Sequence, residues 1–190
     1  AWRGPLTGGG GGGSMMKVPM DREFALRNPE AVFGNGYFEE RIVLAVDPSL
    51  AGTITSFDAF TSRKVGVQLA TVADYFLMTY RDGALISNVS HHVKPEQGIR
   101  EFASKEVPAL LGVRSKLEYL LHEAGAGAAY IEPDMPGIVR KSWVVGMAWK
   151  ENSRDLGYAV EAALAKLAES GELARCFEKF GVSYLPPPIE

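Results

Sequence analysis

Residues 142–181 read SWVVGMAWKENSRDLGYAVEAALAKLAESGELARCFEKFG, and this stretch says most about the fold. Its first part, residues 143–149, is apolar and rich in β-branched and aromatic side chains, which predicts a buried strand. The polar residues that follow include Asn152 and Ser153, and either of them can cap a helix. The stretch therefore predicts a buried strand that leads directly into a helix.

The predicted helix is amphipathic, because apolar residues recur at spacings of three and four and so share one face. These residues are Leu156, Val160, Ala163, Leu164 and Leu167. Gly171 supplies a left-handed stop, and a second, short helix begins at Glu172 and ends at Gly181. The apolar residues of that short helix are Leu173, Phe177 and Phe180.

The part of this stretch that begins at Gly146 resembles the C-terminal signature of the family 3 periplasmic solute-binding proteins. In that family a hinge strand ending in Lys is followed by a helix, a "dG.la.if.k.G" turn and a terminal helix. The resemblance implies an α/β, two-lobed, periplasmic-binding-protein-like (type II) fold whose first lobe is incomplete in this chain. It implies a partial first lobe from residues 1–46 and 147–190, and a second lobe with the return hinge strand from residues 47–146.

Composition sets weaker limits on the function. The net charge is −3, which argues against nucleic-acid binding. No apolar run approaches the roughly 20 residues that a membrane span needs, and no basic-then-apolar leader opens the chain. The single cysteine, Cys176, cannot form an internal disulfide. We expect it to pack as a small apolar residue in the last helix, or else to be partly exposed. A periplasmic location is implied by the family resemblance alone.

The N-terminal region contains a run of six glycines, Gly8–Gly13. It lacks the GxGxxG or GxxxxGK[ST] context of a phosphate-binding loop, so we expect a variable or engineered loop instead. Residues 15–20 predict an edge or terminal strand, since Pro19 is poorly tolerated in a central strand. Asp21 is expected to cap a short helix that runs to about Asn28.

Residues 24–46, FALRNPEAVFGNGYFEERIVLAV, resemble the family's "peR...vdFS.PYy....v.v" region. The resemblance places Arg27 on the arginine that grips a ligand carboxylate and Tyr37 on the tyrosine before the first hinge strand. A guanidinium matches a carboxylate with two parallel hydrogen bonds, although Arg27 can equally be a solvated residue at a helix end. Residues 41–46 predict a buried strand that pairs with residues 143–148.

Residues 64–77, KVGVQLATVADYFL, predict a strand followed by a helix that Thr71 opens. They resemble the family's "vGvq.GTt" turn, where backbone N–H groups and hydroxyls at a helix N-terminus form an anion site. Here the turn reads Ala70-Thr71-Val72, so the glycine and one hydroxyl are missing. We therefore expect a weakened anion site in which Thr71 still contacts the ligand.

Residues 106–114, EVPALLGVR, resemble the second-lobe strand "GrvDAvv.D", whose final Asp lies near the ammonium group of an amino-acid ligand. That register gives Val113 and Arg114 here, and neither can neutralise an ammonium group. An ordinary α-amino acid is therefore disfavoured as the ligand. Arg114 is expected to pair with Glu118, one turn on in the next helix; the alternative is that it meets an anionic ligand.

Metal, cofactor and catalytic sites are not expected. Residues 84–93 predict a second strand, on which His91 and His92 point to opposite faces and cannot easily ligate one metal. Residues 95–104 predict a helix. Glu132 and Asp134 are interpreted as solvated loop charges and not as a catalytic pair.

Two functions remain open. The first is a non-catalytic accessory factor that interacts with a periplasmic quinoprotein methanol dehydrogenase, as in the MxaJ and XoxJ branch of methanol oxidation. The lost Asp, the weakened turn and the aromatic content around Trp143 and Trp149 favour this slightly. The alternative is the periplasmic receptor of an ABC transporter, which binds a small polar or anionic solute and delivers it to a membrane permease.

Overall fold

A computed structural model describes residues 14–189, so the predictions for Gly8–Gly13 lie outside the described residues. The strands are β1 (Ser14–Pro19), β2 (Ala31–Val46), β3 (Val65–Gln68), β4 (Val89–His92), β5 (Ala109–Val113), β6 (Ala129–Ile131) and β7 (Ser142–Lys150). The helices are α1 (Arg22–Arg27), α2 (Val72–Thr79), α3 (Pro95–Ala103), α4 (Arg114–Glu123), α5 (Arg154–Glu169) and α6 (Glu172–Glu178). None of these helices is both long and apolar enough to cross a membrane.

The chain divides into two compact units, and each is built from strands and helices. Of the described residues, the first unit contains 14–40 together with Ser142–Lys179 and 183–189. The second unit contains Arg41–Lys141 and Phe180–Val182. The boundaries expected from the sequence, at residues 46 and 146, fall inside β2 and β7, whereas the units divide five or six residues earlier, at 40/41 and 141/142.

In the first unit, β7 pairs antiparallel with β1. β1 lies at the end of the strand order, which confirms the edge strand predicted from Pro19. Trp149 near the end of β7 is fully buried, and its ring meets that of Tyr158 edge to face with centroids 5.4 Å apart. The buried strand predicted for residues 143–149 is thus confirmed at Trp149, whose indole is part of the core.

The inward face of helix α5 overlaps the predicted one only in part, because Val160 and Leu164 are half-buried whereas Leu156, Ala163 and Leu167 are exposed. Gly157 is buried against Trp149, and a Cβ added there would lie 2.6 Å from Cγ of the indole. This close approach sets the rotation of the helix, so Leu156 stays 59% exposed and Leu167 36% exposed. Ser153 occupies the N-cap position but makes no capping hydrogen bond with its side chain.

Helix α6 begins after Gly171, whose φ of 78° confirms the predicted left-handed stop. The helix ends at Glu178, so Phe180 lies beyond it and is exposed. Phe177 packs on Phe38 with ring centroids 4.8 Å apart. Cys176 is exposed, which is the second of the two environments expected for it.

The sheet of the second unit is mixed. Residues Ile42–Val46 pair antiparallel with β5 and also meet β6, while β3 runs parallel to both β5 and β4. β7 lies next to β2 in the strand order, which confirms the predicted pairing of these two strands. The predicted register is too far along β2, because Leu44–Val46 have β5 on one side and β6 on the other. β2 is 16 residues long, and it is its earlier part, around Gly36, that the β7 backbone approaches.

The second predicted strand, residues 84–93, is also wrong in its first half. Only Val89–His92 form a strand, because 3₁₀ turns occupy Tyr80–Gly83 and Ile86–Asn88. Arg81 and Asp82 adopt left-handed backbone angles, with φ of 44° and 56°. Helices α3 and α4 cover β5 through a buried apolar cluster of Ala45, Ile99, Phe102, Val107, Leu110 and Leu121. Burying each large side chain of this kind stabilises the fold by roughly 1.5–3 kcal/mol.

Candidate ligand-binding site

The polar residues singled out in the second unit meet where β3 and β5 end. The two strands are parallel neighbours, with Val67 opposite Leu111. The turn after β3 and the start of α4 therefore lie at the same end of the sheet, where α/β proteins commonly bind ligands. We call this end of the sheet, with the Gln68–Asp74 turn and the Arg114–Glu118 segment, the carboxyl edge.

Thr71 caps α2 as predicted, and its hydroxyl makes two hydrogen bonds with the backbone. Oγ1 accepts a hydrogen bond from the Asp74 backbone N–H at 3.1 Å and donates one to the carbonyl of Gln68 at 2.8 Å. This arrangement satisfies one of the backbone donors left open at the start of a helix. The Thr71 hydroxyl is thereby fixed by the fold itself.

Asp74 lies in the first turn of α2, after the turn in which the family resemblance expects an anion site. Its Oδ2 accepts a hydrogen bond from the Ala70 backbone N–H at 2.8 Å, and its side chain is buried. Ala70 has a φ of 61°, the left-handed conformation for which the family turn uses glycine. A carboxylate at a helix N-terminus is favoured by the helix dipole. The N-terminus of α2 thus already has a carboxylate of the protein itself beside it.

His91 completes this cluster from the neighbouring strand. Its Nε2 lies 2.7 Å from Oδ1 of Asp74, because β4 runs parallel to β3 and places His91 beside the α2 N-terminus. The contact is an ion pair when His91 is protonated and a hydrogen bond when it is neutral. His91 therefore holds Asp74 in place from the side opposite Ala70.

His92 points away from this cluster, as alternation along a strand requires. Its ring is buried against Gly98 of α3, where an added Cβ would lie 2.7 Å from both ring nitrogens. Burial lowers the pKa of His92 below its ordinary value. Nδ1 has no hydrogen-bond partner within residues 14–189. His92 is a core residue in its neutral form.

Arg114 is buried at the start of α4 and pairs with Glu118, with Nη1 3.1 Å from Oε2. This is the pairing that the sequence favoured over contact with an anion. Burial, with the Glu118 charge second, raises the pKa of Tyr130 on β6 to about 12. The carboxyl edge therefore contains a buried ion pair beneath its surface.

Lys116 and Gln68 are the more accessible polar groups of this edge. Nζ of Lys116 lies 3.4 Å from Oε1 of Gln68, and the lysine is exposed. This contact connects the end of β3 with the first turn of α4. A ligand that approaches the carboxyl edge meets these two side chains before the buried Arg114.

The two candidate residues in the first unit are each engaged locally. Arg27 is 74% exposed and forms an ion pair with Glu23, one turn earlier in α1. The Tyr37 hydroxyl donates a hydrogen bond to the carbonyl of Met16 on β1, and burial raises the pKa of Tyr37. The structure brings Thr71 and Arg114 to one edge of the second unit. Arg27 and Tyr37 belong to separate elements of the first unit.

Two residues of the carboxyl edge were not selected from the sequence as ligand-binding. Asp74 was detectable, because Thr71 followed three residues later by an acidic residue is the signature of a capped helix start. His91 was not, since only the pairing of β4 with β3 brings it to Asp74. No group of three or more His, Cys, Asp or Glu within residues 14–189 is arranged to hold a metal ion.

Neither known protein-family profiles nor curated protein sequences show a significant match to this chain. Solved structures, in contrast, do show significant matches to this chain. An ancestral cationic amino acid solute binding protein superposes with a TM-score of 0.66 at 17% identity, over 86% of this chain and 66% of that one. The chain has the fold of the type II periplasmic binding proteins.

Two further structures extend the similarity to proteins named as transporter components. One is a polar amino acid ABC uptake transporter substrate binding protein from Streptococcus thermophilus, with a TM-score of 0.67 at 16% identity over 90% of this chain and 63% of that one. The other is an amino acid ABC transporter substrate-binding protein from Streptococcus pneumoniae bound to L-arginine, with a TM-score of 0.58 at 18% identity over 88% of this chain and 67% of that one. The chain thus spans about two thirds of the length of these relatives.

Proposed function

We propose that this chain belongs to a non-catalytic solute receptor that captures a small solute in the periplasm and delivers it to an ABC permease. The observation that carries this proposal is the fold, which three solute-binding proteins share at TM-scores of 0.58 to 0.67. Parallel strands that end at one edge of the second unit, with polar side chains after two of them, suit the capture of a small ligand.

The chemistry of the carboxyl edge selects the solute. Asp74 already supplies a carboxylate to the α2 N-terminus, and Arg114 stands where an ammonium-binding acid would be expected. An α-amino acid would thus find both of its charged groups poorly matched. The accessible groups, Lys116 and Gln68, suit a small polar or anionic solute that is not an α-amino acid.

A second function has one observation in its favour. Thr71, Asp74 and Arg114 each bind another residue of this chain, so the edge is held together without any solute. Such a protein could act through its surface, as the accessory role beside a quinoprotein methanol dehydrogenase requires. The three relatives described above are solute-binding proteins and not dehydrogenase partners, so we place the receptor first.

A thermal-shift screen separates the two functions. The full chain is heated with L-arginine, L-glutamate, neutral polyols and small dicarboxylates in turn. A true ligand at ~100 times its Kd stabilises a protein by ~2.7 kcal/mol, which raises the Tm by several degrees. A dicarboxylate or polyol that does so supports the receptor, whereas stabilisation by the amino acids alone contradicts the proposed ligand class.

Lys116 and Lys64 form a matched pair for locating the solute. Both are exposed, but Lys116 lies at the carboxyl edge, whereas Lys64 comes just before β3, at its opposite end. Lys116→Gln should weaken the binding of an anionic solute about tenfold, and Lys64→Gln should leave it unchanged. Capture of a quinoprotein methanol dehydrogenase, with no solute effect in the screen, would favour the accessory role instead.

A further inference from the structure

The second unit contains a pocket of about 520 Å³ that the proposed function does not use. It lies beyond the C-terminal end of α2, and its polar lining comprises Ser56, Asp58, Thr79, Tyr80, Arg81 and Asp134. Phe76, Pro136 and Gly137 complete the walls. We call this cavity the Asp58 pocket.

The Asp58 pocket is separate from the carboxyl edge. Thr71 caps one end of α2, and Tyr80 follows the other end. A helix of eight residues is about 12 Å long, so a small ligand cannot touch both ends at once. The ligand of this pocket is therefore considered separately from a ligand at the carboxyl edge.

One wall of the pocket is a fixed network around Asp58. Its Oδ1 accepts a hydrogen bond from the Tyr80 hydroxyl at 2.9 Å, and its Oδ2 lies 3.0 Å from Nη2 of Arg81. The Arg81 guanidinium carbon also lies 5.7 Å above the Tyr80 ring. That ring is held from behind by Phe57 and Phe76, with centroids 6.1 and 5.7 Å away. Asp58 and Arg81 therefore neutralise each other in the lining of the pocket.

The backbone is shaped to make this wall. Arg81 and Asp82 are consecutive non-glycine residues with positive φ, and Gly83 follows with a φ of 88°. Side chains in this region of φ cost free energy that surrounding contacts must offset. The ion pair with Asp58 and the stacking on Tyr80 are contacts that hold Arg81 in this conformation.

Asp134 adds a carboxylate with no compensating charge to the pocket lining. Asp134 is exposed and lines the pocket, and no hydrogen bond or ion pair of its carboxylate exists within the described part of the chain. With Asp58 and Arg81 paired, the lining has two carboxylates and one guanidinium, which leaves a net charge of about −1. This uncompensated acceptor shares the lining of the pocket with the apolar side chains of Phe76 and Pro136.

We propose that the Asp58 pocket binds a small organic cation, a protonated primary amine on a short apolar chain. Asp134 accepts the hydrogen bonds of the ammonium group, and the apolar chain lies against Phe76 and Pro136. Charge-assisted hydrogen bonds of this kind are stronger than neutral ones, and a small amount of apolar burial adds to them. A carboxylate ligand is repelled by the same net charge.

The test uses n-butylamine at neutral pH, with 1-butanol as the neutral match and butyrate as the anionic match. The full chain is titrated and followed by amide NMR. We expect saturable shifts from butylamine at residues 56–58, 79–81 and 134–137, and no saturable shifts there from butanol or butyrate. Equal binding of butanol, or shifts confined to the carboxyl edge, would overturn the proposal.

Asp134→Asn and Asp82→Asn provide the matched comparison. Both carboxylates are exposed loop groups, but Asp82 does not line the pocket. Asp134→Asn should weaken butylamine binding about tenfold, while Asp82→Asn should leave it within about twofold of the original chain. An unchanged affinity in Asp134→Asn, with the fold intact by circular dichroism, would refute the assignment. Loss of solute binding in Lys116→Gln does not bear on this result, because that residue lies at the carboxyl edge.

Discussion

The Asp74 carboxylate is shared between His91 and Ala70: one oxygen lies 2.7 Å from Nε2 of His91, and the other accepts the Ala70 N–H at 2.8 Å. The start of α2 is thus neutralised by a side chain of its own first turn. We therefore expect the Asp74 carboxylate to keep an external anion away from this helix N-terminus.

Removing the Asp74 side chain should open this position to an anion. In Asp74→Ala the Ala70 N–H and the helix N-terminus lose their acceptor, which sulfate can replace. We expect the variant to be less stable by about 1 kcal/mol and to regain stability as sulfate is added. Unfolding in urea with and without sodium sulfate, against sodium chloride of equal ionic strength, measures this.

Asp155→Ala is the control, because Asp155 lies in the first turn of α5 and is exposed. Sulfate raises the stability of all variants somewhat by exclusion from the surface. The quantity to compare is therefore the increase in the free energy of unfolding with sulfate concentration. Equal sulfate slopes for Asp74→Ala, Asp155→Ala and the original chain would contradict the assignment of an anion position.

Gly98→Ala should destabilise the second unit through His92. The added Cβ would lie 2.7 Å from both nitrogens of a buried ring, and overpacking of this kind costs about 1–3 kcal/mol. A fall in Tm by thermal unfolding, followed by circular dichroism, checks this. Gly52→Ala is the control, since a Cβ there meets nothing within 4 Å. An equal Tm for both variants would contradict the close packing of His92 against α3.

Stability should decrease in mild acid because His92 is buried in its neutral form. Its folded pKa lies below its ordinary value, so the unfolded chain binds a proton first as the pH falls through about 6.5. The contribution of His92 to stability is complete above that pH, and part of it is lost below it. Urea unfolding between about pH 7 and pH 5 should show this loss.

His92→Gln should flatten that pH dependence, whatever it does to the overall stability. His122→Gln serves as the comparison, because His122 is exposed on α4. A slope in His92→Gln as steep as in the original chain would show that another group causes the acid sensitivity.

Replacing one partner of the buried Arg114–Glu118 pair should destabilise the chain more than replacing both partners. Arg114→Met leaves Glu118 buried without this partner and should destabilise the chain by about 3–5 kcal/mol. The double variant Arg114→Met with Glu118→Leu removes both charges and should recover most of the loss. Urea unfolding of the two variants tests this. A double variant no more stable than Arg114→Met would contradict the reason given.

Local signals predicted the elements whose causes lie close together in sequence. Asp21 accepts the Phe24 N–H at 2.6 Å and begins α1, and Thr71 begins α2 in the same way. The spacing of Arg114 and Glu118 predicted their ion pair. Each of these features depends on residues three or four apart, which a sequence displays directly.

Features that depend on distant residues were missed. The apolar pattern of α5 predicted only part of its inward face, because the contact of Gly157 with Trp149 leaves Leu156 and Leu167 exposed. The left-handed Arg81 is stabilised by Asp58, which lies in another segment. The pairing of β2 with β7 was predicted but its register was not, because register between distant strands has no local signature. The Asp58 pocket has the same origin, since three separate segments form its walls.

The boundaries of the second unit have a consequence for biosynthesis. Apart from three residues, this unit is one uninterrupted segment, Arg41–Lys141, and its ends meet where the Ile42 N–H donates to the Lys141 carbonyl at 2.8 Å. Nearly all of the second unit has therefore been synthesised before β7 is translated. The first unit must wait for β7 and α5, so the inserted segment is poised to fold first and to hold the two halves of its host together.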